Sequence, residues 1–466
     1  MFSAKTYIER RNKLKQYFST GLILLPGNAE SSMNYKDNLY HFRQDSTFLY
    51  YTGIDLPNLF FIIDIDNNSE TLFGNDLTID EIVWTGPKAS LSTYTGKSSI
   101  AGLQPLSAIA AVLKNGIQKN KSIHFTPPYR AETGLRLSEW LDIPYQAIEQ
   151  SASLTLIRAI IAQRSFKTAE EIAEINRAVD TTAAMQLKAI RQSRPGIAEY
   201  EIAGQLEAVA TMSGGHLAFP TILTVNGQYL HNHAGSNNLK KGQLVLCDCG
   251  AETAMHYAGD MTRTFPVDRK FTTSQREIYD IVLQAQESAI AALKPGTPFV
   301  DIHLLACVKL AEGLKQLGLI KGDVREAVAR GVHTLFFQCG LGHMMGLDVH
   351  DMENLGEKYV GYTDTIQKST EFGLKSLRLG KELEEGFVVT IEPGIYMIPE
   401  LMDQWQAEKK HIDFINYDKL NAYRTFGGIR VEEDFLITAT GSTLLGKPLA
   451  KKAPELEELK EASHNL

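Results

Sequence analysis

The chain has 466 residues, 44% of them apolar, and its 47 basic and 55 acidic residues leave a formal net charge of −8. That length exceeds what one hydrophobic core usually organises, so two domains are expected, and the acidic balance excludes a binder of phosphate backbones. Four cysteines, Cys247, Cys249, Cys307 and Cys339, are too few for a disulfide framework in so long a chain.

The opening MFSAKTYIERRNKLKQYF scatters charge through the stretch where a signal peptide needs its apolar core. No uncharged apolar run approaches the roughly 20 residues of a membrane-spanning helix. A soluble, cytoplasmic protein without nucleic-acid or membrane partners is therefore expected. Within residues 1–19, Tyr7, Leu14, Tyr17 and Phe18 can share one side of a helix. Strands are read at 22–25 and 59–65, the second closed by Asp66-Asn67-Asn68-Ser69, and helical patterns follow at 106–115 and 134–141. These pieces make a smaller α/β domain over residues 1–158.

Thr168-Ala169-Glu170-Glu171 has the form of a capping box that opens a long helix, and Arg194-Pro195-Gly196 stops it. Further helices are read at about 197–213, 274–292 and 299–317. Strands are read at about 221–226, 242–248, 256–266, 386–392 and 428–438. A larger α+β domain over 159–466 accounts for them. Residues 397–425 read as an inserted loop or helical excursion, and the tail KKAPELEELKEASHNL as a solvated charged helix. Cys247 and Cys249 fall on one face of their strand and Asp248 on the other. No second cysteine pair lies nearby to complete a zinc site, so buried core thiols are the preferred reading.

The strand GQLVLCDCG at 242–250 is nearly repeated as GFVVTIEPG at 386–394, with an acid, Asp248 or Glu392, at the same register. A domain of two similar halves would explain the repeat. A lone ionised carboxylate at the end of a buried strand costs several kcal/mol, so it is neutralised, paired or bound to a metal. A salt bridge suffices for one acid. The next strand of each half, however, brings Asp260 or Glu432, and between the halves GLGHMMGLDVHD carries His343 and His350. Taken singly, each histidine is more often a core or surface residue than a ligand. Four carboxylates and one imidazole would nevertheless supply the shell of two divalent cations about 3.5–4 Å apart. Mostly hard donors favour manganese, iron or cobalt over a cysteine-rich zinc site. Such a pair would hold a bridging water and polarise a carbonyl beside it, and the expected reaction class is hydrolysis.

DCG, GDMTRTFP, GLGHMMGLDVHD, TIEPGIY and GGIRVEED, in that order, resemble the catalytic domain of the proline-specific metallopeptidases of the pita-bread fold, the family of aminopeptidase P and prolidase. Upstream, YHFRQDSTFLYYTGI and DEIVWTGP resemble the N-terminal domain typical of aminopeptidase P. The resemblance implies an α+β pita-bread domain with a pseudo-twofold internal repeat behind a smaller α/β domain. It implies five metal ligands: Asp248 on one cation, His343 and Glu392 on the other, Asp260 and Glu432 bridging. Manganese is expected first, and cobalt, iron and zinc accept the same set. By the same resemblance a metal-bridging hydroxide attacks, and Glu392 carries its proton to the leaving proline nitrogen. His231 and His350 would hydrogen-bond the scissile peptide and stabilise charge on its carbonyl oxygen. Arg430 and Tyr396 would orient the ligand carboxylates.

Two departures stand out. Asp248 and Asp260 are 12 residues apart where 11 is usual, and Cys339 stands where relatives carry a further histidine. The N-terminal signature favours an Xaa-Pro aminopeptidase. The insertion at 397–425 and Arg378, fourteen residues before Glu392, look more like an Xaa-Pro dipeptidase (prolidase), in which such an arginine grips the free carboxylate of a dipeptide. Dimers or tetramers are the family's assemblies.

Overall fold

The computed structural model describes residues 1–463. The chain divides into two compact units, one of residues 1–164 with 352–359, the other of residues 165–351 with the chain from 360 onward. No helix among the described residues is long and apolar enough to cross a membrane.

In the first unit Leu22–Pro26 pairs antiparallel with Phe60–Asp64, which pairs with Ser69–Phe73, and short strands flank this core of a five-stranded sheet. Leu22, Leu24, Phe60, Ile62 and Phe73 pack under Leu113 and Leu137 of the helices Ile109–Gln118 and Ala131–Leu141. The strand Ser69–Phe73 escapes the sequence reading because only its last two residues are buried, so it lacks the apolar run of its neighbours. The helix Leu154–Arg164 ends this unit, and the expected division at 158/159 falls within it.

The second unit repeats one plan. In the first half Ala169–Gln192, opened by the Thr168–Glu171 capping box, packs on Glu199–Met212. The strands Ile222–Thr224, Leu244–Cys249 and Met261–Pro266 follow as one antiparallel sheet, with Thr262 opposite Asp248. In the second half Thr273–Ala291 packs on Phe299–Gln316. Its strands Val388–Ile391, Glu433–Ile437 and Ser442–Leu444 form the matching sheet, with Ile391 opposite Glu433. Cys247 and Cys249 are fully buried core residues, as read from the sequence.

Two details differ from the sequence reading, and a third decides between its alternatives. The strand expected at 428–438 is broken into Gly428–Arg430 and Glu433–Ile437, which leaves Val431 and Glu432 at the joint. Of the two alternatives read for 397–425, an inserted loop or a helical excursion, the structure holds the helical one, with Pro399–Ala407 burying Met402 and Trp405. The tail helix Ala453–Ser463 is not simply solvated. It buries Ala453 and Leu456 in the core, and Lys460 donates to the Ser193 carbonyl.

Candidate metal centre

Each half delivers its two acids where paired strands end. Asp248 lies on Leu244–Cys249, Asp260 immediately before Met261–Pro266, Glu392 immediately after Val388–Ile391, and Glu432 at the break after Gly428–Arg430. The termini are clamped from behind. Gln186, buried on the first helix of its half, donates its amide Nε2 to the carbonyls of Cys247, at 3.1 Å, and Met261, at 2.5 Å. Gln286 on the matching helix of the other half donates to the carbonyls of Ile391, at 3.3 Å, and Val431, at 3.0 Å. Each bonded carbonyl belongs to a neighbour in sequence of one acid, so the two helices lock the backbone that aims the carboxylates.

His343 comes from a loop that runs along the Glu392 strand. Its backbone N–H donates to Thr390 Oγ1 at 3.1 Å, the Thr390 N–H to its carbonyl at 3.0 Å, and the Glu392 N–H to the Leu341 carbonyl at 2.7 Å. The glycine before it makes this approach possible, because a Cβ on Gly342 would sit 2.0 Å from the Thr390 carbonyl oxygen. The ring Nδ1 lies 3.0 Å from the Met344 carbonyl, so Nε2 is the nitrogen turned to the acids. Nε2 is 3.4 Å from Asp260 Oδ2 and 3.7 Å from Glu392 Oε1.

Donor atoms of Asp260, His343 and Glu432 lie within 4.8 Å of one another, and all three side chains are buried. Asp248 joins them through Arg430, whose guanidinium donates to Asp248 Oδ2, to Tyr396 Oη at 2.9 Å and to Thr262 Oγ1 at 3.0 Å. The Thr262 hydroxyl in turn donates to Glu432 Oε2 at 2.7 Å. Neither Thr262 nor Asp434, whose carboxylate accepts the Asp260 N–H, was singled out from the sequence. Both stand inside the motifs GDMTRTFP and GGIRVEED, but nothing in a strand pattern separates a residue that ties two acids together from an ordinary core position.

The electrostatics fit a pair of cations. Burial, then the charges of Asp248, Asp434 and Glu392, pushes the Asp260 carboxyl well above the usual carboxylate range. Burial, then Asp260 and Glu392, does the same to Glu432. Burial also raises Glu392, although His343 and Arg430 oppose it. Three carboxylate oxygens here, Asp248 Oδ1, Asp260 Oδ1 and Asp434 Oδ1, are buried without a hydrogen-bond partner. Crowded acids with unpartnered oxygens are what a divalent cation would satisfy.

Carboxyls raised in the folded state hold protons where the unfolded chain is already ionised, so folding takes up protons and stability falls as pH rises through the folded values. The buried His303 and His333 act in the opposite sense, but below their ordinary value of about 6.5. The melting temperature of metal-free protein should therefore fall as pH rises from about 6.5 to about 8, where the Lys381 and Lys460 ammoniums, lowered by burial, begin to act in the opposite sense; the fall should be less steep in Asp260→Asn, and a divalent cation should remove most of it. Calorimetry across that range checks it, and a flat profile for the metal-free chain would contradict it.

His350 stacks edge-on against His343, with ring centroids 4.3 Å apart. His231 is exposed, and desolvation, then the positive charge of Arg430, lowers its pKa. Arg378 is half-buried, and its positive charge also acts on His231, Glu392 and Cys339, which places it at the same site. Burial, then Glu392, pushes the Cys339 thiol up to about 12, so it stays neutral beside Tyr396. Every residue proposed from the sequence thus lies in one neighbourhood.

Residues 173–439 match the model of metallopeptidase family M24, and residues 7–124 match the aminopeptidase P N-terminal domain. The chain belongs to family M24. Among M24 relatives it is 30% identical to the Xaa-Pro aminopeptidase of Escherichia coli over 476 residues, covering 99% of this chain and 98% of that one. It is also 30% identical to the human Xaa-Pro dipeptidase over 447 residues, covering 94% of this chain and 88% of that one. The structure of E. coli aminopeptidase P with the inhibitor Pro-Leu superposes with a TM-score of 0.82 at 29% identity over the whole of both chains. The M24 fold is the pita bread, and the two matched halves described above are its repeat. As an M24 metallopeptidase the chain is a metal-dependent hydrolase.

Proposed function

We propose that the chain is an Xaa-Pro aminopeptidase, which hydrolyses the bond between the first residue of a peptide and a following proline. The observation that carries this reading is the buried group Asp260, His343 and Glu432, flanked by Asp248 and Glu392, in a chain similar from end to end to the E. coli Xaa-Pro aminopeptidase. In it these five residues hold two divalent cations, manganese first, with cobalt, iron and zinc suited to the same donors. When bound, the cations supply a nucleophilic water at neutral pH and polarise the scissile carbonyl.

The remaining roles belong to the chain's own groups. Glu392, the most exposed of the four acids, takes the proton of the attacking water and passes it to the proline nitrogen. His231 and His350 hydrogen-bond the scissile peptide and stabilise charge on its oxygen. Arg430, braced by Tyr396 and Thr262, keeps the Asp248 carboxylate in one orientation. The first compact unit supplies the N-terminal domain and the second the catalytic one. The protein works in the cytoplasm as a homodimer or homotetramer on proline-containing peptides, with no nucleic-acid or membrane partner.

The charge of Arg378 at Glu392 and His231 favours a second reading, an Xaa-Pro dipeptidase, because a guanidinium at that end of the site could bind a free proline carboxylate in bidentate fashion. Manganese-loaded protein should cleave Ala-Pro-Ala with a higher kcat/KM than Ala-Pro. Cleavage of Ala-Pro alone, lost in Arg378→Ala, would establish the dipeptidase instead. Cleavage of neither peptide would remove both.

A further inference from the structure

Apart from the acids, three donor side chains converge in a sealed part of the core. His303 and Cys307 lie one turn apart on the helix Phe299–Gln316, and His333 faces them from the short 3-10 turn Val332–Leu335. Relative exposures are 1%, 0% and 4%. Their donor atoms lie within 4.8 Å of one another. His303 Nε2 and Cys307 Sγ are already 3.4 Å apart, close to the roughly 3.6 Å at which nitrogen and sulfur sit when they share one ion.

The unpaired atoms of this group are its second notable property. His333 hydrogen-bonds the Val328 backbone through one ring nitrogen, and the other, Nδ1, has no hydrogen-bond partner. His303 turns Nε2 to Cys307 and its Nδ1 is also buried without a partner, so of the two rings only His333 has its tautomer fixed by a backbone carbonyl. A histidine that fixes its tautomer on a backbone carbonyl and leaves the second nitrogen unsatisfied in a core has the arrangement of a metal ligand. A plain core would leave a buried lone pair unmatched. Burial and the neighbouring His333 hold His303 down to about 3, and burial holds His333 to about 4, so both rings are neutral donors at physiological pH.

We infer that His303, Cys307 and His333 form a binding site for one soft monovalent cation, of which the cuprous ion is the representative. The donor set contains one thiol and two imidazoles and no carboxylate, which selects thiophilic ions over the hard cations suited to the acids. As the ion binds, the Cys307 thiol releases its proton to solvent, and the resulting thiolate cancels a single positive charge. A divalent ion would leave a net charge in an apolar surrounding that includes Val332, Leu335 and Phe337, and a structural zinc site asks for a fourth ligand.

The test is anaerobic titration of the full chain with Cu⁺ held by a chromophoric chelator. Wild-type protein and Asp260→Asn should each take up one equivalent, with a rise in melting temperature. Cys307→Ser and His333→Gln, checked for folding by circular dichroism, should bind at least tenfold more weakly and show no such rise. Both substitutions test the same cluster from different elements, so one folded variant suffices. No uptake by wild-type protein, equal uptake by either folded variant, or a preference of the cluster for Zn²⁺ would overturn the inference.

Discussion

Glu392→Gln lowers kcat on Ala-Pro-Ala by about 10³-fold or more, the range lost when a general base is removed. Three of the four acids are buried, and Glu392 alone is open enough to meet both water and an incoming peptide. Its backbone is held by the Leu341 carbonyl and its side chain faces His343 at 3.7 Å, so the substitution does not disturb the strand that carries it. The amide keeps volume and one oxygen donor but cannot accept a proton. Steady-state kinetics paired with elemental analysis separates the two duties: a variant that retains its metal and loses turnover has lost proton transfer. Turnover within tenfold of wild type would remove Glu392 from that role.

Arg430→Met destabilises the metal-free protein by about 3–5 kcal/mol, the cost of leaving one member of a buried ion pair alone. Arg430 is 3% exposed and serves Asp248, Tyr396 and Thr262 at once, and Thr262 passes the link on to Glu432. Methionine fills most of the space and offers nothing to the Asp248 carboxylate. Manganese should return part of the loss, because a cation at Asp248 replaces the missing charge and binds the folded state alone. Urea unfolding with and without manganese measures both terms. A loss under about 1 kcal/mol without metal would show that Asp248 does not depend on this guanidinium.

Much of this arrangement was legible in the sequence because its two signals are short and local. Apolar runs ending in an acid located Asp248 and Glu392, and the matching register exposed the repeat. Capping chemistry at Thr168 and Glu171 marked the start of the long helix, and the structure holds both reciprocal hydrogen bonds. Tertiary contacts were harder to see. The joint at Val431 and Glu432 interrupts what the pattern reads as one strand, since the residues on both flanks are buried. Thr262 and Asp434 gain their importance from partners about 170 residues away, as in the Thr262–Glu432 hydrogen bond. The tail read as solvated because charges dominate it, yet Leu456 and the Lys460 stem find the core.

The paired glutamine clamps carry one more implication. Gln186 and Gln286 hold equivalent backbone points in the two halves, but the side chains beyond those points differ in reach: aspartates from one half, glutamates from the other. A twofold frame thus carries arms of unequal length, and its symmetry ends at the Cα atoms. Charge is shared evenly between the halves, whereas distance is not. An exchange such as Asp260→Glu, conservative by chemistry, would therefore be a change of length that the rigid frame cannot absorb.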